Sequence, residues 1–95
     1  MTYLLNYDFT EQEIKDFKQM NATFLVEKIN EYQDLIEENL KYLKELGVVN
    51  YKEIFNRHAE MFLMDSDAFE SVFQKYDRED LIIKLKNNPD LVEQL

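Results

Sequence analysis

His58 is the only histidine of the chain, and an imidazole is the side chain best matched to proton transfer near pH 7. It stands in Asn56-Arg57-His58-Ala59-Glu60, with no serine or cysteine nucleophile signature beside it, so its setting points to a helix surface or an interface rather than to a general base. His58 and Glu60 have the His-x-Glu spacing that opens a zinc deaminase signature, but the Pro-Cys-x-x-Cys half cannot exist in a chain with no cysteine. Asp65-Ser66-Asp67 followed by Glu70 has the outline of a calcium loop. It lacks the glycine needed for the sharp turn at the sixth position, which is Glu70, and the bidentate glutamate at the twelfth, which is Tyr76. A di-metal bundle site needs Glu-x-x-His on two helices, which one histidine cannot supply. One glycine is too few for a phosphate-cradling loop. No catalytic, cofactor-binding or metal-ligating residue is therefore assigned, no cofactor is expected, and the reading is non-enzymatic.

The remaining chemistry lies in carboxylates. The 95 residues carry 20 Asp+Glu against 11 Lys+Arg, a formal net charge of -9. The excess is even: residues 1–48 hold 5 Lys and 10 acids, residues 49–95 hold 6 Lys+Arg and 10 acids. Such a field repels a polyanion at long range and speeds the encounter with a basic protein surface. Aromatic residues at 14%, regularly spaced, argue against disorder. The length suits one domain, residues 1–95, with a single core. The absence of cysteine fits a reducing compartment. The longest apolar run, Met61 to Met64, is far short of a membrane span, and the first residues lack a cationic leader, so a cytoplasmic protein with no membrane contact is expected.

The elements that must position these groups are written in local signals. Four times an apolar residue precedes a capping side chain and another apolar residue follows four positions after the cap: Phe9-Thr10 with Ile14, Val49-Asn50 with Ile54, Met64-Asp65 with Phe69, and Tyr76-Asp77 with Leu81. Each reads as a hydrophobic staple, and Glu13 and Glu53 could complete capping boxes. Asn21 is a further helix start, as is Asn88 with Pro89 at the first helical position. Gly47 closes the segment before it. These signals predict helices over 11–19, 22–46, 51–62, 66–75, 78–87 and 89–94. No segment alternates with period two. The fold class is all-α, a compact domain of five or six helices.

Helical spacing then assigns the faces. Leu25, Ile29, Tyr32, Ile36, Leu40, Leu43 and Leu46 form one apolar stripe along the long second helix. Opposite it lie Glu27, Glu31, Asp34 and Glu38, the expected protein-contact face. Glu37 with Lys41 and Glu11 with Lys15 have the spacing of supporting ion pairs. Phe55, Phe62, Phe69 and Phe73, with Met61, Met64 and Tyr76, are expected mainly to fill the core. The alternative for this set is a Met- and Phe-rich groove that receives a partner helix.

Three stretches share a theme when laid in register: Phe17 to Leu25, Ile54 to Phe62, and Lys84 to Val92. Each has a polar residue, then Ala or Pro, then an acid or Thr, then two apolar residues, and the first two are separated by a long helical stretch ending Glu45-Leu46-Gly47-Val48. This resembles the helical repeat of the mitochondrial transcription termination factor family, over about residues 7–95. The signature proline is present only at Pro89 and is Ala22 and Ala59 elsewhere. The resemblance implies a short stack of helical repeats. Members of that family bind nucleic acid on a basic surface, and here basic residues are outnumbered. The leading expectation is thus a protein–protein interaction module with a basic partner, with homodimerisation open. The alternatives are a nucleic-acid-binding repeat protein using Lys84, Lys86 and Arg57, and an acidic mimic of nucleic acid that occupies a basic protein site.

Overall fold

A computed structural model describes residues 1–95. The chain begins with a 3-10 segment, Thr2–Tyr7, followed by α1 (Glu11–Met20), α2 (Thr23–Glu31), α3 (Gln33–Leu46) and α4 (Tyr51–Arg57). A second 3-10 segment, Ala59–Leu63, precedes α5 (Ser66–Gln74) and α6 (Arg78–Asn87), and a third, Pro89–Gln94, ends the fold. There is no strand, and no helix is long and apolar enough to cross a membrane. A single cluster of 20 buried apolar side chains runs from Tyr3 to Val92.

Most of the local signals act as their chemistry predicts. Thr10 and Glu13 form a complete capping box: the Glu13 N–H donates to Thr10 Oγ1 at 3.1 Å and the Thr10 N–H to Glu13 Oε1 at 2.9 Å. Asp65, Asp77 and Asn88 accept from the N–H groups of Asp67, Asp80 and Asp90. Gly47 takes the left-handed conformation at φ 104°. Its N–H donates to the Lys44 carbonyl and the Val48 N–H donates to Leu43, while Leu43 and Val48 are both buried. Together these bonds and the apolar contact make a Schellman stop.

Other predicted signals behave differently: Tyr76, expected as a staple and as core, is exposed, and Glu53 completes no capping box but pairs with Arg57. Val49 is largely exposed and does not act as a staple. Asn50 makes no cap bond to α4; its Nδ2 donates instead to the Leu85 carbonyl at 2.9 Å, one of the orphan acceptors in the last turn of α6. Asn21 likewise closes α1 through the Phe17 carbonyl rather than opening α2.

The predicted long helices are interrupted. The 22–46 helix breaks at Tyr32, whose ψ of 44° is not helical. Buried Tyr3 donates its hydroxyl to the Ile29 carbonyl at 2.6 Å, the acceptor that an unbroken helix would reserve for the N–H of Gln33. The first 3-10 segment, for which no signal was read in the sequence, thus docks at the break. The 51–62 helix turns at His58 (φ -134°, ψ 45°) and continues as the second 3-10 segment. The 89–94 helix is 3-10 throughout.

The core is built on phenylalanine. Phe55 packs against Phe9, Phe17 and Phe62 with ring centroids 5.5, 5.1 and 5.2 Å apart, and the contact continues through Phe69 to Phe73 at 5.1 Å per step. These rings are buried, so the four phenylalanines of the second half fill the core. Beside them lies the one buried polar residue, Asn39 on α3. Its Nδ2 donates to the carbonyls of Phe62 and Met64, each at 2.9 Å. Both are acceptors, so the amide nitrogen must face them.

Two outcomes follow for stability. Gly47→Ala should lower the urea midpoint by the equivalent of about 1–2 kcal/mol, since a Cβ is disfavoured at this φ and would sit 3.2 Å from Ile82 Cδ1. Asn39→Asp should cost about 3 kcal/mol or more, because it turns an acceptor toward two buried carbonyls. It should be worse than Asn39→Leu, which leaves those carbonyls unpaired without adding charge; the opposite order in urea denaturation would disprove the bracing role.

Candidate functional site

The three stretches that align in the sequence each fold into a corner between two helical segments. In each, a helix stops, the chain bends, and a second helical segment starts: α1 to α2 at Asn21, α4 to the second 3-10 segment at His58, and α6 to the third at Asn88. At each corner the fifth residue of the stretch bonds back to the carbonyl of the first. Asn21 does so with its side chain to Phe17 at 2.9 Å, His58 with its N–H to Ile54 at 2.8 Å, and Asn88 with its N–H to Lys84 at 2.9 Å.

The corners converge on one cleft of about 520 Å³, a volume in the range of ligand and anchor-residue pockets. Leu25 comes from the first corner, His58, Ala59 and Met61 from the second, and Val92 from the third. Met64 and Val72 complete the apolar wall. The alternation of the second 3-10 segment explains the division of labour: Phe62 is fully buried, while Met61 and Met64 are half-buried and face the cleft.

Charge is organised at the cleft mouth. His58 Nε2 lies 2.8 Å from Asp90 Oδ1, and Nδ1 lies 3.3 Å from Glu93 Oε1. Arg57 reaches Asp90 at 2.9 Å and Glu53 at 3.6 Å. The bond from His58, followed by that from Arg57, holds the Asp90 carboxyl below its ordinary range. Both ring nitrogens of His58 thus face a carboxylate, with a hydrogen bond between Nε2 and Asp90. Because Asp90 and Glu93 approach opposite edges of the ring, the three side chains do not converge on a common point, and no metal-holding group of His, Asp and Glu is formed.

A second hollow of about 350 Å³ adjoins the cleft, sharing Asn21 and Arg57 with it. Glu13, Asp16 and Glu53 line it. Met20, which also lines it, is the most exposed large apolar side chain of the chain, at 83%.

The four carboxylates of the expected contact face are all exposed. The break at Tyr32 divides them: Glu27 and Glu31 lie on α2, Asp34 and Glu38 on α3. Tyr32 itself, placed on the apolar stripe by spacing, is 47% exposed. None of the four enters any of the seven ion pairs, and none makes a side-chain hydrogen bond. The supporting pairs expected for Glu37 with Lys41 and Glu11 with Lys15 do not form; the helical pairs that do are Glu53 with Arg57 and Asp80 with Lys84. Arg57 and Lys84, two residues of the possible basic patch, are therefore each held by acids.

Reading the sequence singled out His58 but not its partners Asp90 and Glu93, 32 and 35 positions away. Nothing local to His58 marks either carboxylate, because the contact is made between segments far apart in the chain.

The ion pairs at Asp90 make a pH prediction. A carboxyl whose pKa is lowered by folding adds stability above its unfolded value and loses it as pH falls through the folded one. The difference in thermal midpoint between the native chain and Asp90→Asn should thus be present at pH 5 and above and should shrink as pH falls below 3.8, the ordinary value for this carboxyl. A difference unchanged down to about pH 2 would rule out this linkage. No family model matches the chain, and neither a curated protein nor a solved structure does.

Proposed function

We propose that the chain is a non-enzymatic interaction module that docks a basic protein on its α2–α3 face through Glu27, Glu31, Asp34 and Glu38. One observation carries this reading: exposed carboxylates that enter no ion pair follow one another along two consecutive helices, Glu27 and Glu31 on α2 and Asp34 and Glu38 on α3. Uncompensated charge concentrated along two consecutive helices steers an oppositely charged surface and gives most of its effect in the association rate. The non-enzymatic part rests on the sequence, which sets no serine or cysteine nucleophile signature beside the one histidine, His58.

The test is a pull-down with the native chain and with a variant carrying Glu27→Lys, Glu31→Lys, Asp34→Lys and Glu38→Lys. Each reversal adds two charge units, so the four together move the net charge from -9 to -1. The native chain should retain a protein that survives nuclease and is released by moderate salt, and the variant should not. Equal retention by the variant, or recovery of nucleic acid, would overturn the proposal.

A further inference from the structure

We infer that the three-corner cleft and the acidic hollow beside it form one docking site for a basic amphipathic helix. The apolar anchors of that helix enter between Met61, Met64 and Val72, and its lysines or arginines meet Asp16 and Glu60. The inference rests on the reading that the partner is basic, and adds a second surface to the α2–α3 face.

Shape and chemistry agree on this occupant. The cleft is walled by aliphatic and thioether groups, and methionine adapts to whichever anchor enters, as helix-binding grooves require. Around the mouth of the two hollows stand Glu53, Glu60, Asp90 and Glu93, of which Arg57 pairs with Glu53 and Asp90, His58 pairs with Asp90 and Glu93, and Glu60 pairs with none. The rim is net negative even with His58 charged. Glu60 and Asp16 are exposed and in no ion pair. Asp16 accepts only a neutral bond, from the Gln12 amide at 2.8 Å, and an apolar wall with exposed carboxylates at its edge complements a helix with apolar residues on one face and basic residues flanking them. A second copy of this chain would bring another -9 to the same surface, and like-charge juxtaposition opposes it. Met20, exposed beside Asn21 in the acidic hollow, extends the apolar contact.

The probe is a synthetic amphipathic helix with leucines at i, i+3, i+4 and i+7 and lysines elsewhere, titrated calorimetrically into the full chain at low and moderate salt. Two control peptides are needed, one with the same composition scrambled and one with glutamate for every lysine. Both controls should bind at least about tenfold more weakly. The double substitution Met61→Gln with Met64→Gln should weaken the helix about tenfold by making the wall polar, and Asp16→Lys with Glu60→Lys should do so by reversing the rim. The rim pair is exposed and keeps the test valid if the methionine variant fails to fold. Should both variants bind as the native chain does while reversal of Glu27, Glu31, Asp34 and Glu38 abolishes binding, the cleft inference fails and the proposed face stands. Loss in the cleft and rim variants with no effect of the four reversals would establish the cleft as the helix site and leave the α2–α3 face to its own pull-down test. Equal binding of the scrambled peptide would show attraction by net charge alone and would overturn the cleft. So would sedimentation of the free chain as a dimer that the methionine substitutions dissociate.

Discussion

The fold depends on how the carbonyls at the end of the second 3-10 segment are satisfied. A short helical turn leaves its last acceptors without intrahelical partners, and here the Phe62 carbonyl is buried and the Met64 carbonyl partly so, where an unpaired acceptor is costly. Asn39 resolves this by spending both amide hydrogens on Phe62 and Met64. With those two carbonyls fixed to α3, Phe62 is directed into the ring chain between Phe55 and Phe69, and Met61 and Met64 are left on the cleft side. One polar contact thereby sets which side of the segment is core and which is surface. The cost is visible in the same residue, since Asn39 Oδ1 is buried without a protein partner.

A similar economy governs the first residues. Their 3-10 segment has too few bonds of its own to persist, and two tyrosines fasten it from opposite directions. Tyr3 reaches out to the Ile29 carbonyl. Tyr51 reaches back from α4 to the Tyr7 carbonyl and the Asp8 carboxylate, and Lys44 pairs with Asp8 at 2.9 Å. Burial, then the bond to Asp8, raises the Tyr51 hydroxyl far above its usual range, so it remains a neutral donor. The Tyr51 hydroxyl bond, followed by Lys44, lowers the Asp8 carboxyl. Asp8 holds φ at 70°, a conformation that aspartate tolerates better than most residues.

These fastenings explain what could be read from the sequence and what could not. Thr10 with Glu13, Asp65, Asp77 and Gly47 are local devices whose partners lie within a few residues, and the helix ends they mark are where spacing puts them. Asn39, Tyr3 and Asn50 act on residues 23 to 35 positions away. Nothing in their immediate neighbours distinguishes an asparagine that braces a distant turn from one that faces water. For the same reason, the apolar stripe from Leu25 to Leu46 reads as one helix: its period is helical, and the interruption is imposed by Tyr3 from outside. Glu27, Glu31, Asp34 and Glu38 were legible as exposed carboxylates because exposure follows from helical period alone. Their division between two helices was not.

The distribution of charge follows from the same distinction between local and distant contacts. Basic residues are scarce, and several are committed where the chain must be held to itself: Lys44 at Asp8, Lys52 at Glu13, and Arg57 at Asp90. Each of these pairs joins elements distant in sequence, at places where a helix is short or a corner must be closed. Exposed ion pairs contribute little individually, so their placement matters more than their number. Lys28 on α2 and Lys41 on α3 enter no ion pair, and α2 and α3 are secured mainly by the burial of Ile29, Ile36, Leu40 and Leu43. The carboxylates of the acidic α2–α3 surface thus stand outside any ion pair, whereas at the rim of the three-corner cleft Arg57 is itself part of the closure, and the two surfaces differ in how much of their charge is left for a partner.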